Sequence, residues 1–140
     1  MHNYTILYPM FALVLLTVIV SLRMLKFRFR AVIKDNLHPG YFRFNRGSEP
    51  PEYLLKVEQH YTNLFETPVL FYVISILTYV LQFVDNITLV LAWGYVISRC
   101  IHAYVHLGSN TLRLRRNVFL VSVILLITFW CYIFIRMISV

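Results

Sequence analysis

Two clusters of polar side chains interrupt long apolar runs, and both carry groups able to hold or activate a ligand. In the first, Gln59, Asn63 and Glu66 lie four and three residues apart, which puts two amides and a carboxylate on one face of a helix. Glu58, His60 and Tyr61 sit nearby on other faces. In the second, Arg99, His102 and His106 repeat at three and four, with Tyr95 one turn earlier on the stripe. Tyr104 points away from His106 by about 160 degrees, from the repeat of 3.6 residues. Ionisable groups within apolar runs are costly and normally face a bundle interior, a cavity or a partner. A carboxylate stripe can thus meet a cationic one. Glu66 and Arg99 read equally well as a structural ion pair and as part of a ligand site, and the two readings are compatible. His102 and His106 have the spacing of two metal ligands on one helix, but no third or fourth ligand repeats it, so no metal site is expected.

The elements that carry these stripes must lie in lipid. Of the 140 residues 59% are hydrophobic and only 14% are charged, too few polar groups to cover a soluble domain. Thirteen Lys and Arg outnumber six Asp and Glu. Basic residues between long apolar runs face phospholipid headgroups more often than nucleic acid, so membrane lipids are the expected partner and nucleic acid is not. Cys100 and Cys131 both fall within apolar runs and read as buried small hydrophobes.

A helix needs about 20 apolar residues to span the hydrocarbon. Four runs qualify, over residues 4–25, 54–84, 87–107 and 118–138 of a single domain covering 1–140. The first ends in Arg23, Lys26, Arg28 and Arg30, followed by a polar loop rich in Pro and Gly. Pro68 cannot donate to the carbonyl of Leu64, so the second span should kink there. Nearly all the Lys and Arg fall in the loops after spans one and three, which the positive-inside rule places in the cytoplasm, with both termini on the opposite side. The expected fold is all-α, a four-helix integral membrane bundle of the inner membrane of a bacterium or of the endoplasmic reticulum.

These residues resemble the MAPEG superfamily, the membrane-associated proteins of eicosanoid and glutathione metabolism. The resemblance lies in the basic end of span one, in Asn63-Leu-Phe-Glu66-Thr-Pro68, and in Arg99-x-x-His102-x-x-x-His106-Leu-Gly108 with Arg115 beyond. The phrase Glu66-Thr-Pro68-Val-Leu-Phe is similar to the uncharacterised bacterial branch. The resemblance implies a homotrimer, with glutathione at each subunit interface and a lipophilic substrate entering from the bilayer. It implies that Asn63 and Glu66 bind the peptide and the glutamyl amine, that Arg99 helps hold the cofactor, and that Arg23 and Lys26 meet its carboxylates. Gln59, His102, Tyr104, His106 and Arg113 complete the implied glutathione site. Arg115 is the implied catalytic residue, a cation that favours the thiolate over the thiol, with Arg113 and Arg116 as near neighbours that could take its place, and headgroup binding or fixing the topology is an equally open role for all three.

Two departures from the pattern bear on activity. Gln59 stands where the synthases usually place an Arg, and His106 where several members place a Tyr. A glutathione transferase or peroxidase acting on lipophilic electrophiles is the leading expectation. A non-enzymatic membrane scaffold or lipid-binding protein is the alternative, with the stripes packing helices and the basic rim holding headgroups.

Overall fold

A computed structural model describes residues 3–139. A short 3-10 turn, Asn3–Ile6, leads into α1 (Leu7–Lys34), followed by α2 (Tyr41–Phe44), α3 (Glu52–Asn63), α4 (Thr67–Val80), α5 (Asn86–Leu107) and α6 (Leu112–Ile138). Four stretches are long and apolar enough to cross a membrane: Tyr4–Lys34, Glu52–Val80, Asn86–Leu107 and Leu112–Ile138. With all-helical architecture and apolar outer faces, the chain is an integral membrane protein built as a four-helix bundle. Helix α1 runs on to Lys34, past residue 25. At 28 residues it is about 42 Å long, so its last turns extend beyond a hydrocarbon layer of about 30 Å. Its basic residues therefore lie on helix rather than loop. Helix α6 likewise begins at Leu112, so Arg113, Arg115 and Arg116 occupy its first turns.

The second span is broken, not merely kinked. Helix α3 stops at Asn63, Leu64 to Glu66 form a turn, and α4 restarts at Thr67 with Pro68 in its first turn, where a missing N–H costs no helical bond. The break leaves the end of α3 with carbonyls to satisfy. One of them, on Asn63, accepts from the Arg99 side chain at 3.4 Å. At the other end of α5, Asp85 and Thr88 close a reciprocal cap. The Thr88 N–H donates to Asp85 Oδ1 at 2.8 Å and the Asp85 N–H to Thr88 Oγ1 at 2.9 Å. The other Asp85 oxygen accepts from Tyr132 at 2.6 Å and from Arg136, whose guanidinium also reaches the Phe83 carbonyl at 3.1 Å. One carboxylate thus starts α5 and pins the end of α6 against the α4–α5 turn.

Two apolar clusters flank the polar layer. One gathers Leu13, Phe71, Ile74, Tyr95, Leu126, Phe129 and Ile133, from α1, α4, α5 and α6. The other gathers Val20, Ala31, Leu37, Tyr41, Leu54, Val57 and Leu64, which ties the long loop and short α2 down onto α1 and α3. Left-handed residues at Asn36, Asn45 and Gly47 make the turns that loop requires.

Cys100 and Cys131 are exposed on the bundle's outer surface, against the expectation that they are buried. In lipid an outward face is apolar too, so hydrophobic surroundings in sequence do not distinguish the core of such a bundle from its periphery.

Candidate functional site

Where α3, α5 and the start of α6 converge, a cleft of about 660 Å³ opens, lined by Gln59, Asn63, His102, His106, Leu112, Arg113, Arg115, Arg116 and Phe119. Its geometry follows from local rules. Gln59 and Asn63 are one turn apart on α3, and His102 and His106 one turn apart on α5. Helix α5 ends at Gly108, where a Cβ would meet the Tyr104 carbonyl at 2.8 Å, and a tight turn brings the arginines of α6 back over the histidines. Three guanidinium groups and no carboxylate line the cleft, so its walls suit an anionic ligand.

Arg99 lies behind this wall, fully buried. Its Nη2 donates to the side-chain oxygen of Asn63, and its Cζ sits 5.8 Å from the centre of the Phe119 ring. The ion pair with Glu66, one of the two readings of these residues, does not form. Among the described residues the ion pairs are Arg28–Glu58, Lys56–Glu52 and Arg136–Asp85. The reason is the break at Pro68: the helical phase that carries Gln59 and Asn63 to the cleft ends before Glu66, which lies exposed in the turn.

The structure brings together six of the sequence-derived residues, Gln59, Asn63, His102, His106, Arg113 and Arg115, with Arg99 directly behind them. Four lie elsewhere. Arg23 lines a separate cavity of about 330 Å³ with Phe27, Glu52, Tyr53, Lys56 and Leu107. Lys26 is exposed on α1 and lines neither space. Tyr104 is 82% exposed on the face of α5 turned away from His106. Glu66 is the fourth.

Sequence reasoning missed His60, Asn110 and Phe119. His60 is fully buried, its ring 5.4 Å from that of His102 and 5.1 Å from that of His106, centre to centre. The signal was available: Leu54, Val57 and Leu64 share its face of α3 at helical spacing and form the buried stripe. Both nitrogens of His60, Nδ1 of His102 and of His106, and Nε and Nη1 of Arg99 have no hydrogen-bond partner within the protein. Though three histidine rings meet, no group of three His, Cys, Asp or Glu among the described residues is arranged to hold a metal ion. Nearby Arg99 and Arg115 would also oppose a cation.

Arg115, half-buried at the cleft, donates from Nη1 to Asn110 Oδ1 at 2.8 Å and lies 3.2 Å from His106 Nε2. Its neighbours Arg113 and Arg116 are more exposed, and Arg116 reaches Asn117 alone.

The protein is thus of the class of four-helix membrane bundles, with a cleft lined by three arginines and no carboxylate at one end. The chain matches the MAPEG family over residues 6–135, nearly its whole length, and belongs to that family. Membership makes it a glutathione-related membrane protein in general terms. Neither the curated proteins nor the solved structures contain a match.

Proposed function

We propose that the chain binds glutathione in the cleft between α3, α5 and α6 and uses its thiolate, as a transferase or peroxidase, on lipophilic electrophiles drawn from the bilayer. The observation that carries this reading is the cleft itself, where three arginines and two histidines line one wall system without a carboxylate. The fit is good for the anionic parts of the tripeptide. Arg113 and Arg116, exposed at the rim, suit its carboxylates, and Gln59 and Asn63 its peptide groups. Bound there, glutathione would supply the nucleophilic sulfur. Arg115 would stabilise that sulfur as thiolate, because a fixed cation favours the charged form.

The cleft of one chain offers the glutamyl amine no carboxylate partner. Glu66, Arg23, Lys26 and Tyr104, all expected at the site, lie outside the cleft. In the homotrimer that the family resemblance implies, with sites between subunits, a second copy would bring such residues to the ligand. The loops after spans one and three are read as cytoplasmic, which would put both termini on the opposite side and the cleft within reach of cytosolic glutathione.

Calorimetric titration of detergent-purified protein with glutathione, together with the ultraviolet absorbance of the bound thiolate, tests this directly. Wild type should bind and develop the absorbance. Arg115→Ala should keep most of the binding and lose about tenfold in thiolate fraction, a shift of one pKa unit. Absence of binding to an intact protein sinks the reading and favours the non-enzymatic alternative, a scaffold whose basic rim holds headgroups.

A further inference from the structure

We infer that Asn110 and His106 are positioning residues that clamp Arg115 from one side, so that a fixed edge of its guanidinium is presented to a thiolate in the cleft. This rests on the reading of the cleft as a thiol site. The clamp is built from three observations. Asn110 takes a left-handed backbone conformation, φ 52°, in the turn after α5, and its N–H closes that turn on the Val105 carbonyl at 2.8 Å. Asn tolerates this conformation better than other residues with a Cβ, so backbone and side chain are selected at one position. Its Oδ1 then accepts from Arg115 Nη1 at 2.8 Å.

His106 supplies the second point. Its ring is 5% exposed and its Nε2 stands 3.2 Å from the same Nη1. A guanidinium has only donors, so this contact is a hydrogen bond in the neutral tautomer that carries its proton on Nδ1 and leaves Nε2 to accept. Both hydrogens of Nη1 are thereby engaged, which leaves Nε and Nη2 for a ligand. An Arg side chain has several rotatable bonds and loses much rotamer freedom when fixed. Ordering it beforehand keeps its charge aimed at the sulfur, so that the thiolate is stabilised without further rearrangement of the side chain. His106 in turn packs against the His60 and His102 rings, at 5.1 and 5.6 Å. The charged groups around the clamp are Lys56 on α3, Arg99 on α5 and Arg113 and Arg116 on α6, none of them an acceptor that could replace Asn110.

The test is a set of substitutions read by pH titration of bound glutathione. Asn110→Gly keeps the left-handed turn and deletes the amide, and a pair of changes at His106 separates an acceptor atom from a ring of similar size. Asn110→Gly should lower the thiolate fraction at neutral pH by about threefold, less than removal of Arg115 itself, with glutathione affinity within about twofold of wild type. His106→Gln, which also retains an acceptor, should fall closer to wild type than His106→Phe. An unchanged thiolate fraction in Asn110→Gly that still binds glutathione overturns the clamp and leaves the proposed function standing. Failure of wild type to bind glutathione overturns both. If His106→Gln and His106→Phe lose the thiolate alike, the acceptor atom is not what matters and the clamp is likewise wrong.

Discussion

Replacing Asn63 with Ala removes the side-chain acceptor from a guanidinium that is fully buried between α3 and α5. Hydrogen bonds to charged groups contribute about 1.5 to 3 kcal/mol, and the partner left behind keeps its desolvation cost. Arg99 retains the Asn63 backbone carbonyl at 3.4 Å, a long contact that compensates little. Asn63→Ala should therefore destabilise the protein by about 2 kcal/mol. Glu66→Gln, at an exposed position without an ion pair to Arg99, should change stability by less than about 0.5 kcal/mol. Reversible unfolding in mixed micelles, followed by circular dichroism, separates the two. A double-mutant cycle of Asn63→Ala with Arg99→Met should return a coupling comparable to the single loss. Equal destabilisation by Glu66→Gln and Asn63→Ala, or a coupling near zero, would refute this account and return Glu66 to the structural pairing that spacing alone had suggested.

At the opposite end of the bundle, burial alone would raise the Asp85 carboxyl, but hydrogen bonds from Thr88 and Tyr132 and the Arg136 charge outweigh it and hold it below the usual carboxylate range. A depressed folded value means that its stabilisation is complete above about pH 4, the ordinary Asp value, and is lost as pH falls through the lower folded one. Thermal unfolding of Asp85→Asn should therefore show a weaker fall in midpoint below about pH 4 than wild type, and identical acid limbs would remove Asp85 from the account. In the cleft, Gln59→Arg adds a further guanidinium. One more charge about 4 Å from an anion contributes about 1 kcal/mol in a watery surround, so calorimetry should show glutathione bound about fivefold more tightly. Unchanged or weaker affinity would mean that residue 59 does not face the ligand.

Helix number and the two polar stripes were legible because each follows from a single helix: apolar run length for the first, spacing of three and four for the second. What failed to transfer depended on how helices meet. Pro68 signals a disturbance, and the helical phase of Gln59 and Asn63 ends in the turn just before it, so Glu66 does not continue their stripe. His60 was read as lying off the stripe, although its neighbours Val57 and Leu64 mark the buried face. Asn110 lies in a turn, where its acceptor role depends on the return angle of α6 and has no periodic signature. The outward position of Cys100 and Cys131 shows a further limit, since lipid gives outer faces the same apolar composition as the core.

The distribution of the remaining site residues carries an argument of its own. In a single chain the cationic cleft and the cavity beside Arg23 are separate spaces, although Lys56 of the second and Gln59 of the first lie one turn apart on α3. A ligand with two carboxylates, an amine and a thiol would satisfy only part of its polar groups in either space. The groups that would complete it, a carboxylate at Glu66 and a phenol at Tyr104, are exposed among apolar surface, where an ionised or polar side chain facing hydrocarbon is costly. Covering them with a different surface of a neighbouring copy, the contact a closed ring uses, would remove that cost and bring complementary groups to the ligand together. The exposure of these polar residues on otherwise apolar faces is thus the strongest reason within one chain to expect that the functional unit contains more than one.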